Sequence, residues 1–277
     1  MPAKPSFNVK LFLEEFVIFG LVQALSIWAG LYFFSHADLA EIKITTSLWQ
    51  FVIAFAIATV LMIIALRLVK GSLFFKTLFF LVNFLGAGII FGIFLPMPVA
   101  AVLAFVWVAL RFFVPRIWLH NLTIILGLGG VAAVFGLSLS IAAVLVILFV
   151  LSIYDYIAVY KTEHMVEMFR ELVHRGVIFA AILPLKFKGW TADLAEIRPG
   201  GDFIFFGTGD LILPSILAVS AISYGLESVA FSVGGSFVGL VVLHILFTSQ
   251  RKRAPMPALP PLVLFSALGF VISLLIK

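Results

Sequence analysis

The chain contains no cysteine. That absence excludes disulfides, thiolate metal sites and a cysteine nucleophile. Charge is scarce as well. Asp, Glu, Lys and Arg make up 11% of the 277 residues, against about 25% in soluble domains. The five histidines, His36, His120, His164, His174 and His244, are scattered without the spacing of a zinc-binding helix. No metal site and no cofactor are expected from them. No internal repeat stands out, which weighs against a transporter built from duplicated halves. Nor does a cleavable signal peptide: the first apolar run continues to Phe34 without a small-residue cleavage site, so it reads as a true span.

What the chain has in abundance is apolar residues, 64% of the total, with a mean hydropathy of +1.25. They come in continuous runs of about 20 residues, each long enough to cross about 30 Å of hydrocarbon as a helix. A membrane β-barrel would show short alternating segments instead. The reading is an all-α polytopic membrane protein with nine transmembrane helices. They are placed at Leu11–Phe34, Leu48–Val69, Leu73–Leu95, Met97–Phe113, Asn121–Leu139, Ile141–Tyr160, Phe203–Ser223, Ser228–Phe247 and Pro257–Ile276. Leu95-Pro96-Met97-Pro98 reads as a tight turn between two of them. With these spans, every Lys and Arg except Lys43 and Lys277 falls on one side. The positive-inside rule then puts the N-terminus in the cytoplasm and the C-terminus outside, in the cell (plasma) membrane. The net charge of +5 is assigned to cytoplasmic loops, not to nucleic acid.

Three regions follow: 1–160 with the first six spans, 161–202 as a cytoplasmic loop, and 203–277 with the last three. Within the loop, Thr162–Arg175 places Met165, Met168, Phe169, Leu172 and Val173 at helical spacing between charges, the pattern of an amphipathic helix. Val177–Leu185 is apolar but too short to cross, and reads as an interfacial anchor or as a plug against a site. Trp190 suits an interfacial position. The glycines at 86, 88, 92, 127, 129, 130, 234, 235 and 239 read as close helix packing.

Carboxylates inside spans need an account, since each costs about 2.5–3.5 kcal/mol at mid-bilayer on insertion scales. Glu14 and Glu15 lie near the start of the first span and can snorkel to the surface. Glu227 falls in an external loop. Asp155 and Asp210 remain. Asp155 lies six residues before Lys161, and Asp210 seven residues after Phe203, so on antiparallel helices both sit roughly 10 Å below the cytoplasmic surface. Two acids at one depth can share a proton. The pair alone leaves three uses open: hydrolysis, proton or cation translocation by a transporter or channel, and a structural hydrogen bond between helices.

The surroundings narrow the choice. Asp155 follows Tyr154, and Asp210 closes Gly207-Thr208-Gly209-Asp210. Glycines beside an aspartate let a backbone approach closely and loosen the helix, which suits a site accepting an extended strand. Pro257-Ala258-Leu259-Pro260 opens the last span near the same side. YD, GxGD and PAL, in that order on the sixth, seventh and ninth spans, resemble the presenilin and signal peptide peptidase family of intramembrane aspartyl proteases, most of all its archaeal presenilin members. The resemblance implies that Asp155 and Asp210 are the catalytic pair. It further implies that Pro257, Ala258 and Leu259 shape the site, and that Tyr154, Gly207 and Gly209 support substrate placement. Thr208 stands where presenilins typically carry leucine, so cleavage-site preference does not carry over. Signal peptide peptidases have the opposite topology. The charge distribution matches the presenilin sense, and single-span membrane substrates with cytoplasmic C-termini are expected. The bilayer is the other partner, and self-association is left open.

Overall fold

The computed structural model describes residues 8–36, 71–161, 164–198, 201–250 and 254–276, with isolated helical positions at 50, 53, 54, 57, 61 and 64. The expected span Leu48–Val69 therefore lies mostly outside the described residues. The described helices are α1 (Val9–His36), α2 (Leu73–Gly92), α3 (Met97–Phe113), α4 (Ile117–Ser138), α5 (Ile141–Tyr160), α6 (His164–His174), α7 (Thr208–Ser220), α8 (Leu226–Thr248) and α9 (Leu259–Ile276). Six of them, α1, α2, α4, α5, α8 and α9, are long and apolar enough to cross a membrane. Two more apolar helices are shorter, Met97–Phe113 and Thr208–Tyr224. Two short strands, β1 (Ala180–Pro184) and β2 (Phe203–Gly207), complete the frame.

Local chemistry sets the element ends. Pro98 sits in the first turn of α3, where its missing N–H costs nothing, and the expected turn at Leu95–Pro98 precedes it. Ser140 caps α5 by accepting the Ala143 amide at 3.3 Å. The amphipathic helix expected at Thr162–Arg175 is α6. It buries Leu172 and Val173 and exposes Glu167, Arg170 and Glu171.

α4 is the most enclosed of the six long helices, packing against α1, α2 and α7. Its glycines allow this. A Cβ on Gly86 of α2 would run into the Gly127 backbone, and one on Gly130 into the backbone of Gly86. α8 and α9 approach in the same way: a Cβ on Gly239 would lie 2.7 Å from the Pro261 carbonyl oxygen. Small residues let helix backbones touch where lipid is as apolar as the side chains.

The structure corrects the sequence reading in three places. The run Phe203–Ser223 is not one helix. It begins as β2, turns at Gly207 into α7, and ends in a 3-10 turn at Ala221–Tyr224. Phe203-Ile204-Phe205-Phe206 is a β-favouring run, and it has a partner. That partner is the second correction. Val177–Leu185 is neither a surface anchor nor a loose plug, because its centre is β1, buried at every position. β1 pairs antiparallel with β2, Ala180 opposite Gly207 and Pro184 opposite Phe203. One face of the sheet, carrying Ala181, Leu183 and Phe206, packs into the core with Leu11 and Phe19 of α1. The other, carrying Ala180, Ile182, Phe203 and Phe205, packs with Phe169, Val173 and Ile197 beneath α6 and the loop.

The third correction concerns the first helix. Glu15 does not snorkel. It is 8% exposed, and its Oε2 lies 2.7 Å from His244 Nδ1 on α8. Glu14 accepts the Trp190 indole N–H at 3.2 Å, so Trp190 packs on α1. Glu227 is exposed at the start of α8.

Candidate active site

α5 turns one acid inward. Asp155 is 3% exposed, while its neighbours Tyr154 and Tyr156 are 47% and 50% exposed on the outer face. Its Oδ2 accepts the Leu259 backbone N–H at 3.2 Å, and the Ala258 amide also faces it. Leu259 opens α9, where backbone amides lack helical partners and the helix dipole favours negative charge. Pro260 and Pro261 follow and have no N–H to offer. The donors that this segment can present thus come just ahead of them.

β2 delivers the second acid. The strand ends at Gly207 and α7 starts at once, so Asp210 falls in the first helical turn. A Cβ on Gly207 would lie 2.7 Å from Asp210 Oδ2, whereas one on Gly209 would meet nothing within 4 Å. Thr208 ties this junction down. Its amide and hydroxyl both donate to the Phe179 carbonyl, at 3.3 and 3.2 Å.

The two aspartates line one cavity of about 610 Å³ and are close enough for the charge of one to act on the other. Its walls come from α5, α6, β2, the start of α7 and the segment 254–258, with Ala180 of β1 and Phe247 of α8 completing them and Phe203, Phe205, Gly207 and Ala258 among the lining residues. Arg170, His174 and Arg198 also border it. Two carboxylates facing a partly apolar cavity can hold and activate a water between them.

The family described as signal-peptide peptidase, presenilin aspartyl protease matches residues 16–277. The chain belongs to this family. Two solved structures, both of a presenilin family intramembrane aspartate protease, are similar over nearly the whole chain. The form in space group C222 is 25% identical, with 96% of this chain and 98% of that one covered and a TM-score of 0.63. The form in P2 is 25% identical, with 98% of each chain covered and a TM-score of 0.65. No curated protein sequence matches. The protein is thus an intramembrane aspartyl protease and a hydrolase, and a transporter reading of the acid pair is not favoured.

Within this protease, the residues singled out in the sequence do not all converge. Asp155, Asp210, Gly207 and Ala258 line the cavity. Leu259 is buried and reaches Asp155 through its amide. Pro257 is buried just before it. Thr208 acts on the strand junction, Gly209 faces open space, and Tyr154 is turned outward. Sequence reasoning missed the groups that hold β1. Asn121 Nδ2 donates to the Ile182 carbonyl at 2.8 Å, and its Oδ1 accepts the Ile182 amide at 2.9 Å. His120 Nε2 lies 3.0 Å from the Ala180 carbonyl, and Arg111 Nε donates to His120 Nδ1 at 3.2 Å. A signal was present, since polar residues in apolar spans mark functional positions.

Proposed function

We propose that Asp155 and Asp210 are the catalytic pair of an endopeptidase that cuts peptide bonds within transmembrane segments of single-span proteins. The observation that carries this reading is the meeting of both carboxylates in one cavity beside an open strand edge. One carboxylate, ionised, takes a proton from water. The other, protonated, gives its proton to the scissile carbonyl oxygen as the water oxygen bonds to the carbon. The gem-diol collapses as the C–N bond breaks, and a proton passes to the leaving amine.

Substrate enters as a strand. Thr208 N to Phe179 O and Leu185 N to Asp202 O bracket the sheet, so Ala181–Phe206 and Leu183–Ile204 are the hydrogen-bonded pairs. The amides and carbonyls of Phe203, Phe205 and Gly207 therefore point away from β1, and all three residues line the cavity. An unwound substrate segment added along that edge runs past Gly207 towards the aspartates. Arg170, His174 and Arg198 suit acidic groups flanking such a segment.

The remaining features belong to the same proposal. The protein has nine spans, a cytoplasmic N-terminus and an external C-terminus in the plasma membrane. Asp155 is carried by region 1–160, the 161–202 loop covers the site, and 203–277 supplies Asp210 and the PAL segment. Type I and type II reporters, cleaved in lipid with and without a gem-diol analogue, test the reading. Cleavage of the type I reporter, blocked by the analogue, is expected. Cleavage of type II alone overturns the orientation, and insensitivity to the analogue overturns the mechanism.

A further inference from the structure

A second cavity, about 90 Å³, lies behind β2. It adjoins the main cavity, sharing Asp210, Ile204, Phe205, Phe247, Met256 and Ala258 with it, but its other polar walls are Glu15 and His244, neither of which the cleavage scheme uses. Its apolar walls include Leu183 and Phe206, which belong to the α1-facing side of the sheet. A liquid water takes up about 30 Å³, and a buried water needs two to four polar partners. The space has room for at least one water, with Glu15, His244 and Asp210 as polar partners on its walls.

We infer that Glu15 and His244 form the polar wall of a water-holding pocket that resupplies Asp210 from behind β2 while substrate fills the main cavity. This rests on the reading of Asp210 as catalytic. Each turnover consumes one water: its oxygen joins the carbonyl carbon, one hydrogen stays on the new carboxyl group and the other leaves with the amine. A substrate strand on the outer edge of β2 displaces water from the main cavity but does not reach the opposite face of the sheet. The pair is not needed to join α1 to α8, because Gln23 Nε2 already donates to Ser236 Oγ at 2.7 Å between the same two helices. Nor is a buried ionisable pair by itself a source of stability, since apolar replacements of similar volume are often neutral.

The test measures kcat and KM for a membrane-embedded reporter with the full chain in lipid vesicles. Removing both groups, Glu15→Leu with His244→Leu, avoids leaving a lone buried charge. We expect kcat to fall about tenfold while KM and the affinity for a gem-diol analogue stay unchanged. Glu15→Gln with His244→Gln keeps polar walls and recovers most of the lost rate. An unchanged kcat in the leucine pair overturns the inference, as does a loss that the glutamine pair fails to recover. Should the leucine pair not fold, a high-resolution structure of the parent chain with the analogue bound decides. Water between Glu15, His244 and Asp210 supports the pocket, and a dry pocket overturns it. Full activity in Asp210→Asn would instead sink the reading of the catalytic pair, so the two failures are distinguishable.

Discussion

β1 and β2 are the two strands of one small sheet, and they differ in what their outer edges meet. The edge of β1 is occupied by side chains. Asn121 takes the amide and carbonyl of Ile182, His120 meets the Ala180 carbonyl, and Lys10 Nζ donates to the Pro184 carbonyl at 3.0 Å. The edge of β2 runs along the cavity that holds both aspartates. Backbone polar groups at membrane depth must be satisfied, or must line a cavity. α4 and α1 satisfy the outer edge of one strand, whereas the outer edge of the other borders the cavity. Under the proposed function β1 is mainly scaffold and β2 receives the substrate, although both are five-residue apolar strands.

The sharpest way to break this contrast is to spoil the open edge alone. Phe205→Pro removes an outward N–H and no ladder bond. Cleavage is expected to fall on the order of a hundredfold with the thermal unfolding midpoint nearly unchanged, as read by reporter cleavage beside a melt in detergent. A large loss of stability would mean that the Phe205 amide is structural. The converse change is Asn121→Leu, which strips both bonds from Ile182 while leaving β2 intact. It should destabilise the fold by about 2–4 kcal/mol, seen in denaturation, and reduce cleavage per folded molecule by less than Phe205→Pro does. Equal effects on cleavage would erase the distinction between the strands. A finer comparison lies at the end of β2. A methyl at Gly207 meets the Asp210 carboxylate at 2.7 Å and one at Gly209 meets nothing. Gly207→Ala should therefore cost about tenfold in kcat, and Gly209→Ala less than about twofold. Matching losses would show that the glycines serve backbone freedom rather than space for the carboxylate.

Much of this was legible in the sequence because the bilayer permits so few polar exceptions. Asp155 and Asp210 were visible as acids in apolar runs, although the helical rise that set them at one depth does not hold, because Phe203–Gly207 is a strand. Most of the expected glycines sit at helix contacts, while Gly92 and Gly234 face open space. The helix at His164–His174 announced itself by amphipathic spacing. The sheet did not. Phe203-Ile204-Phe205-Phe206 merges with the apolar run of α7, and period alone cannot separate a short buried strand from the start of a helix. β1 reads as a stray apolar stretch until its partner is known. The Glu15–His244 pair was hidden for a different reason. Each residue sits near a helix end where a charge can be solvated, and only the packing of α1 on α8 brings them within 2.7 Å. Tyr154 is a different case. Adjacent to Asp155 in sequence, it lies about 100° round the helix and is exposed where Asp155 is buried.

The most direct measurement is cleavage of a membrane-embedded reporter by the purified protein in lipid, beside Asp155→Asn and Asp210→Asn variants of equal fold stability. The account predicts that either single change abolishes cleavage, because neither carboxyl can both activate water and polarise the carbonyl alone. Cleavage that persists in either variant would contradict it.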